Sequence, residues 1–440
     1  MSANYDSFGL IDRHSRAAVQ LEQAREIFTK PIVSRSSFLA FGNGKSYGDT
    51  CHNDEGTLVD MRNSNELVAF DPVTGLLTAK AGMLLSEIIR IGAEHGYFLP
   101  VTPGTRFVTL GGAIANDVHG KNHHRRGTFG CHVKRFELLR SDGSITECVS
   151  GINSSLFNAT IGGLGLTGII LEATIQLMKV GSLDVVEHIQ PFTSLKDYFE
   201  LAPTTDNDNE YSVAWVDQLA AGKDAGRGVL LSGNHSDNGN YSVSSKARKL
   251  GVPFDLPVSA LNYPSLKLFN AAYYNLKSRN QKPHLSGYGS FFYPLDQVSN
   301  WNRLYGRSGL FQHQSIIPED AAHEVIPEML KVTRNAGQSS FLTVLKRFGD
   351  TGSPGVLSFP QAGYTLTVDF PNRGSRTLAL LTELDRMTIA NGGRVNPYKD
   401  QRMSAEVFKV GFPQWSELER ERDPAINSNF WRRTALAETI

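Results

Sequence analysis

An α+β fold in two domains is what this sequence predicts, on three observations. The chain has 440 residues, more than one hydrophobic core usually serves. Its strand-like and helical runs lack the regular alternation that a doubly wound parallel sheet requires. Composition changes after about Val180, where stretches rich in Asn, Asp, Ser and Gly at 203–209 and 234–245 read as long polar loops.

The elements follow in order. Residues 57–61 (TLVDM) read as a strand. Residues 66–71 and 76–82 flank the turn Pro72-Val73-Thr74-Gly75 and read as a hairpin. From 84 to 93, Leu84, Leu85, Ile88, Ile89 and Ile91 fall at helical spacing, and Gly96 offers a helix end. A second hairpin is predicted for 133–140 and 144–149 around Ser141-Asp142-Gly143. Residues 168–180 alternate like a strand leaving a glycine turn. Further strands are predicted at 211–217, 340–346 and 364–370, and a helix at 377–391. No internal repeat or low-complexity tract occurs.

Forty-four basic residues face forty-four acidic ones. Zero net charge gives no general reason to expect nucleic acid or an anionic membrane as partner. Three cysteines, Cys51, Cys131 and Cys148, form neither a disulfide framework nor a CxxC pair. The polar N-terminus lacks the apolar core of a signal peptide, and no stretch reaches the length of a membrane span. A soluble cytoplasmic protein is expected, with peripheral membrane contact left open.

Chemistry concentrates in three glycine-rich segments. The first is Gly42-Asn43-Gly44-Lys45-Ser46-Tyr47-Gly48-Asp49. The second is Pro103-Gly104-Thr105, continuing through Gly111-Gly112-Ala113-Ile114-Ala115-Asn116 to His119-Gly120-Lys121-Asn122-His123-His124. The third is Gly162-Gly163-Leu164-Gly165-Leu166-Thr167-Gly168. Glycine lets a backbone turn sharply and approach a ligand, and a concave row of N–H groups favours phosphate oxygens. Any one segment is explained equally well by a plain turn. Three of them within residues 42–168, one carrying Lys45 and Ser46, favour a diphosphate-bearing dinucleotide. Gly163-x-Gly165-x-x-Gly168 matches the Rossmann fingerprint literally, but a strand-like run follows it where that fingerprint needs a helix. The Walker pattern is absent. His119, His123 and His124 lack the Cys or His partners, or the helical HExxH, of a zinc site, so no metal is expected.

At these segments the sequence resembles one family. The runs GKSYGD, PGTRFVTLGGAIANDVHGKNHH, GTFG and GGLGLTGII are similar to the flavin-binding half of the decaprenylphosphoryl-ribose oxidase family, within the vanillyl-alcohol-oxidase type of flavoproteins. The likeness continues through AWVD (214–217), YPLD (293–296), WNRLYG (301–306), LKRFG (345–349), VDFP (368–371) and YKDQR (398–402). It implies a PCMH-type FAD-binding domain of residues 1–183 with 394–440, and an antiparallel-sheet substrate domain of residues 184–393.

The flavin-binding set implied by the resemblance is Gly42, Asn43, Gly44, Lys45, Ser46, Tyr47, Gly48, Pro103, Gly104, Thr105, Gly111, Gly112, Ala115, Asn116, His119, Gly120, Lys121, Asn122, His123, Gly163, Gly165, Gly168 and Ile169. Related oxidases carry a flavin-linking histidine where this chain has Lys45, so non-covalent FAD is expected. The implied reaction oxidises a ribose 2′-hydroxyl to a ketone: hydride leaves the carbon for the flavin and a base takes the hydroxyl proton. Lys399 matches the lysine beside the isoalloxazine, where a cation stabilises the reduced, anionic flavin. His119 is the second catalytic candidate. Trp215, Gln312, Gln314 and Lys346 match pocket residues, Lys346 as the counter-charge of a substrate phosphate. Departures from the pattern are Phe292, for a pocket tyrosine, Thr367, for a cysteine of mycobacterial members, and Asn396, for their tyrosine.

The first functional expectation is therefore oxidation of a lipid-linked ribose phosphate, with a separate NAD(P)H-dependent short-chain reductase completing epimerisation to the arabinose lipid. The alternatives are a sugar, alditol or aldonolactone oxidase of the same superfamily, and a flavin-binding partner without turnover. One segment admits two readings. Residues 252–275 hold Phe254, Leu256, Leu261, Tyr263, Leu266, Leu268, Phe269, Tyr273 and Tyr274 without clear period. They are either a buried core segment or a mobile cover over the pocket that touches a membrane.

Overall fold

In the computed structural model, which describes residues 5–30, 37–152, 154–243, 250–255, 261–340 and 342–437, β-branched and aromatic runs pair into two groups of sheets. A parallel three-stranded sheet has the order Ala18–Gln20, Thr57–Asp60, Phe38–Phe41. Beside it in sequence, the two predicted hairpins form one antiparallel five-stranded sheet. Its order is Leu67–Phe70, Leu76–Lys80, Ile169–Gln176, Val133–Leu139, Ile145–Val149. The Leu85–Ala93 helix ends just before Gly96, whose φ of 75° is open to glycine. The strand Ile169–Gln176 follows Gly168 directly, so no helix N-terminus points back at that turn. The C-terminal segment returns to this half. Phe38 N–H donates to Ala425 O at 2.7 Å and Asn427 N–H to Phe38 O at 3.0 Å.

An eight-stranded antiparallel sheet makes the second group. Its order is His284–Ser286, Val185–Phe192, Gly228–His235, Tyr211–Val216, Thr343–Phe348, Gly363–Pro371, Leu310–Ile317, Arg394–Val395. A pleated strand sends alternate side chains to opposite faces, and the pleat sorts this sheet by chemistry. Ala214, Val216, Leu230, Leu345, Leu366, Val368 and Phe370 face the helices Leu195–Asp208, Glu319–Asn335 and Ser375–Ala390 in one apolar core. Residues of the opposite parity, including Trp215, Gln312, Gln314, Lys346 and Thr367, line a cavity.

Two expectations need correction. Residues 203–208 are not loop but the last turns of the Leu195–Asp208 helix. Its start is fixed upstream by a capping box, in which Ser194 Oγ accepts Asp197 N–H at 3.2 Å and Asp197 returns the bond at 3.1 Å. Its polar tail is tolerated inside because buried Asp206 accepts a hydrogen bond from Ser212 and lies 3.6 Å from Arg347. The segment 252–275 is not a core strand or core helix: Leu266 is buried, but Phe254, Tyr263, Leu268 and Phe269 are exposed. Tyr263–Arg279 is helical, starting at Asn262, whose Oδ1 accepts Ser265 N–H at 3.1 Å. Leu256 lies outside the described residues. No helix among those described is long and apolar enough to cross a membrane.

Candidate active site

The three glycine segments converge because they hydrogen-bond to one another, by one side-chain amide and by backbone groups. Asn43 Nδ2 donates to Phe107 O at 2.8 Å, joining the first segment to the second. Leu164 N–H donates to Ala115 O at 2.8 Å and Gly162 N–H to Ile114 O at 3.0 Å, joining the second to the third. Their inner surface and the polar face of the eight-stranded sheet enclose one cavity of about 560 Å³.

Most of the predicted cofactor residues line this cavity: Gly42, Asn43, Gly44, Lys45, Ser46, Tyr47, Pro103, Gly104, Thr105, Gly111, Gly112, Ala115, Asn116, His119, Gly120, Lys121, Gly165 and Gly168. Five stand behind it. Gly48 is pressed on Asp400, where a Cβ would lie 1.5 Å from the carbonyl oxygen, and Gly163 is pressed on Ala159 in the same way at 2.0 Å. Asn122 ties the HGKNHH loop down, donating from Nδ2 to Pro100 O at 2.8 Å and to Glu210 at 3.0 Å. His123 stacks on Phe348 with ring centroids 4.4 Å apart, and Ile169 is buried in its strand. These five shape the wall without facing the cavity.

The opposite wall is a row across four strands. Trp215 pairs with Val344, Val344 with Thr367, and Thr367 with Gln314. Residues i and i+2 along a strand share a face, so Gln312 and Lys346 stand beside this row. Asn396 does not reach the cavity. It lies behind Gln314, because Asn396 N–H donates to Gln314 O at 2.8 Å and draws the chain against the sheet.

A network orders the centre. Asn396 Oδ1 accepts Tyr398 N–H at 3.2 Å, so its Nδ2 faces Gln314 and donates to Oε1 at 2.9 Å. Gln314 Nε2 then points inward and donates to Thr365 Oγ1 at 3.1 Å and to Nε2 of His119 at 2.9 Å. An accepting Nε2 makes His119 a neutral imidazole with its proton on Nδ1, a tautomer assigned from the network. Burial, then Lys346, His123 and Lys399, holds the His119 pKa well below its ordinary value, in agreement with that assignment.

Four lysines, Lys45, Lys121, Lys346 and Lys399, line the cavity. Burial lowers Lys45, against the pull of Asp296. It lowers Lys121 to about 8 and Lys399 to about 8, and with Lys121 and Lys399 as neighbours it lowers Lys346 to about 7. Every ion pair within 4.0 Å among the described residues lies elsewhere, so none of these four lysines has one. Lys121 instead donates to Phe291 O and lies 4.4 Å over the Phe291 ring. Lys399 lies 4.3 Å over the Tyr47 ring. Asp296 draws on Lys45 and Asp369 on Lys399, but neither is within ion-pair distance, and desolvated cations gain from an anion that completes them. With the glycine turns beside them, this donor set fits a diphosphate cofactor together with a second anionic group.

Two carboxylates went unrecognised in the sequence. Asp369 is buried, accepts a bond from Gln312 Nε2 at 2.6 Å, and is raised to about 7 mainly by burial. Asp296 lines the cavity, accepts Arg106 N–H at 3.0 Å, and is raised by burial. The signal was present. Asp369 follows Thr367 by two residues on one strand, and Asp296 ends the YPLD run.

Comparison with known proteins bears on what fills this site. Residues 23–149 match the family model described as an FAD binding domain. The chain is 35% identical to the decaprenylphosphoryl-beta-D-ribose oxidase of Mycolicibacterium smegmatis over 415 residues, covering 90% of this chain and 89% of that protein. It is 33% identical to an uncharacterized protein from the mprA 5′ region of Streptomyces coelicolor, over 80% of this chain and all of that protein. The L-gulonolactone oxidase of Mus musculus is 27% identical over 35% of this chain and 34% of its own length.

Proposed function

The chain belongs to the decaprenylphosphoryl-beta-D-ribose oxidase family of FAD-dependent oxidoreductases, and from that premise we propose that it oxidises the 2′-hydroxyl of a polyprenyl-phospho-ribose to the 2′-ketone. Bound FAD supplies the hydride acceptor. The chain's own residues supply the rest. The observation that carries the reading is the set of cavity lysines that make no ion pair within 4.0 Å among the described residues, spread from the glycine wall to the sheet wall. Lys45 and Lys121 lie with the glycine segments and answer to the cofactor's charge. Lys346, across the cavity on the sheet, answers to a second anion, which a free sugar or alditol lacks and a phosphoribosyl lipid has. Lys399 and neutral His119 stand between the two walls and hold or accept protons at Nζ and at the imidazole. Lys45 has no imidazole to bond the flavin, so the FAD is held without a covalent link.

This reading includes the wider scheme: FAD-binding residues 1–183 with 394–440, substrate residues 184–393, a separate NAD(P)H-dependent short-chain reductase that consumes the ketone, and peripheral contact with a membrane. Anaerobic titration of the FAD-loaded protein, followed by flavin absorbance, tests it. Polyprenyl-phospho-ribose should bleach the flavin, and ribose, alditols and aldonolactones should not. Bleaching by the free sugars alone would overturn the lipid reading. No bleaching by any of them would favour a binding partner without turnover.

A further inference from the structure

The helix Tyr263–Arg279 has two unlike faces. One packs on the strands Val185–Phe192 and Gly228–His235. On that side Leu266 and Asn270 are buried, and Tyr273, a cavity-lining residue, contacts Trp215 with ring centroids 4.7 Å apart. The other face is apolar and outward. Leu268 is 74% exposed and Leu276 70%. Phe269, 47% exposed, and Leu276 are seven residues apart, which returns a helix to nearly the same side, and Leu268 adjoins them. Leu285, on the sheet's edge strand and paired alongside the strand that the helix packs on, is 57% exposed. Of the three strongly exposed aromatic side chains among the described residues, two, Tyr263 and Phe269, are on this helix. Isolated exposed leucines are common, but a helix face of them beside exposed aromatics marks a surface that meets another phase.

Charge says which phase. The chain as a whole is neutral, yet between Asp255 and Asp296 there is no acidic residue, while Lys267, Lys277, Arg279 and Lys282 all fall there. Lys267, Arg279 and Lys282 are exposed. An apolar stripe flanked by basic side chains, with acid excluded, complements the headgroup region of an anionic bilayer. A protein partner does not require that exclusion, because acidic and basic residues mix at protein interfaces.

We propose that the outward face of the Tyr263–Arg279 helix is the surface by which this protein sits on a bilayer containing anionic lipid. The proposal rests on the lipid-linked substrate reading for its purpose. The helix that walls the cavity with Tyr273 then also rests on the phase holding the substrate's tail, which need not cross water.

Binding is measured without substrate, so the outcome is independent of the reaction. FAD-loaded protein is floated with vesicles of equimolar phosphatidylglycerol and phosphatidylcholine, and with phosphatidylcholine alone. Wild type should float with the anionic vesicles, and less as salt is raised. Leu268→Ser/Leu276→Ser and Lys267→Glu/Arg279→Glu should each bind about tenfold less, with flavin content and bleaching by detergent-dispersed substrate unchanged. Failure of wild type to float with anionic vesicles, or binding of both variants at the wild-type level, would overturn the proposal. So would a wild-type dimer that the leucine variant turns to monomer without vesicle binding, since the face would then join two copies of the chain.

Discussion

The two walls of the cavity are built by opposite means. The flavin-side wall is backbone: glycine turns pressed so closely on neighbours that side chains have no room, as at Gly48 against Asp400. The sheet-side wall is side chain: Trp215, Thr367, Gln314, Gln312 and Lys346 share a face only because of pleat and register. A wall of backbone is written in local sequence and fails by losing shape. A wall of side chains is written in strand pairing, and fails by losing a function while the shape survives.

The largest expected effect tests the first half of that contrast. Gly48→Ala puts a methyl 1.5 Å from a carbonyl oxygen held in the backbone, a clash that no rotamer relieves. It should cost about 3 kcal/mol or more of stability, read as the urea midpoint of the flavin-free protein, and FAD should be lost. Gly104 is the control on the same wall. A Cβ there meets nothing within 4 Å and lines the cavity, so Gly104→Ala should shift stability by no more than about 0.5 kcal/mol while weakening FAD retention. Equal stabilities for the two variants would break the contrast.

The next effect belongs to the side-chain wall's chemistry. Lys399→Ala should leave FAD bound and slow anaerobic flavin reduction by about 10²–10³-fold, the usual loss when one charge-stabilising group is removed. Stopped-flow absorbance gives the rate, and acid release gives the flavin content. If flavin content falls and the remaining holoenzyme reduces at the normal rate, Lys399 is a structural residue.

The same contrast explains which parts of the molecule are legible in the sequence alone. The glycine segments, both hairpins and the strand after Gly168 are local, so turn chemistry and period-2 alternation reveal them. The helix tail at 203–208 is hidden because its start signal, Ser194 with Asp197, lies upstream, and because buried Asp206 is met by Ser212 on the next strand and by Arg347 from a strand distant in sequence. Asp369 is hidden likewise: a buried carboxylate looks unreasonable in sequence until Gln312 is known to pair opposite it. Asn396 is the subtler case. The resemblance assigns it to the substrate pocket, yet here it stands one layer back, behind Gln314.

A smaller effect follows from Lys346. Burial, with Lys121 and Lys399 nearby, lowers it to about 7, so its charge is lost as pH rises through neutrality. A phosphate diester stays ionised throughout that range, so the trend comes from the cavity's own groups, of which Lys346 is the lysine on the sheet-side wall. The KM for a phosphoribosyl lipid should rise by up to about tenfold between about pH 6 and about pH 8. Lys346→Met should be weak and flat with pH. Stability of the unliganded protein has the opposite sign. Between about 7 and the ordinary value of 10.5 the unfolded lysine holds a proton that the folded one does not, so this group's contribution rises with pH across that window. A steep KM profile persisting in Lys346→Met would assign the titration elsewhere.

The smallest effect is the most discriminating, because it changes no atom that lines the cavity. Asn396 fixes the Gln314 amide by donating to its Oε1, and Gln314 in turn donates to Nε2 of His119. Asn396→Ala removes that constraint and lets the amide turn over, so the imidazole can hold its proton on either nitrogen. One hydrogen bond is worth about 0.5–1.5 kcal/mol, so flavin reduction should slow about three- to tenfold, with flavin content unchanged. Asn396→Asp goes further. A carboxylate facing Gln314 attracts its Nε2, turns Oε1 toward His119, and demands a proton on Nε2. Nitrogen-15 spectra of the imidazole should show the Nδ1–H form in wild type, a mixture in Asn396→Ala, and the Nε2–H form in Asn396→Asp, with the slowest reduction in the last. If all three proteins show one tautomer and one rate, orientation of His119 owes nothing to the sheet-side wall, and the two walls act independently.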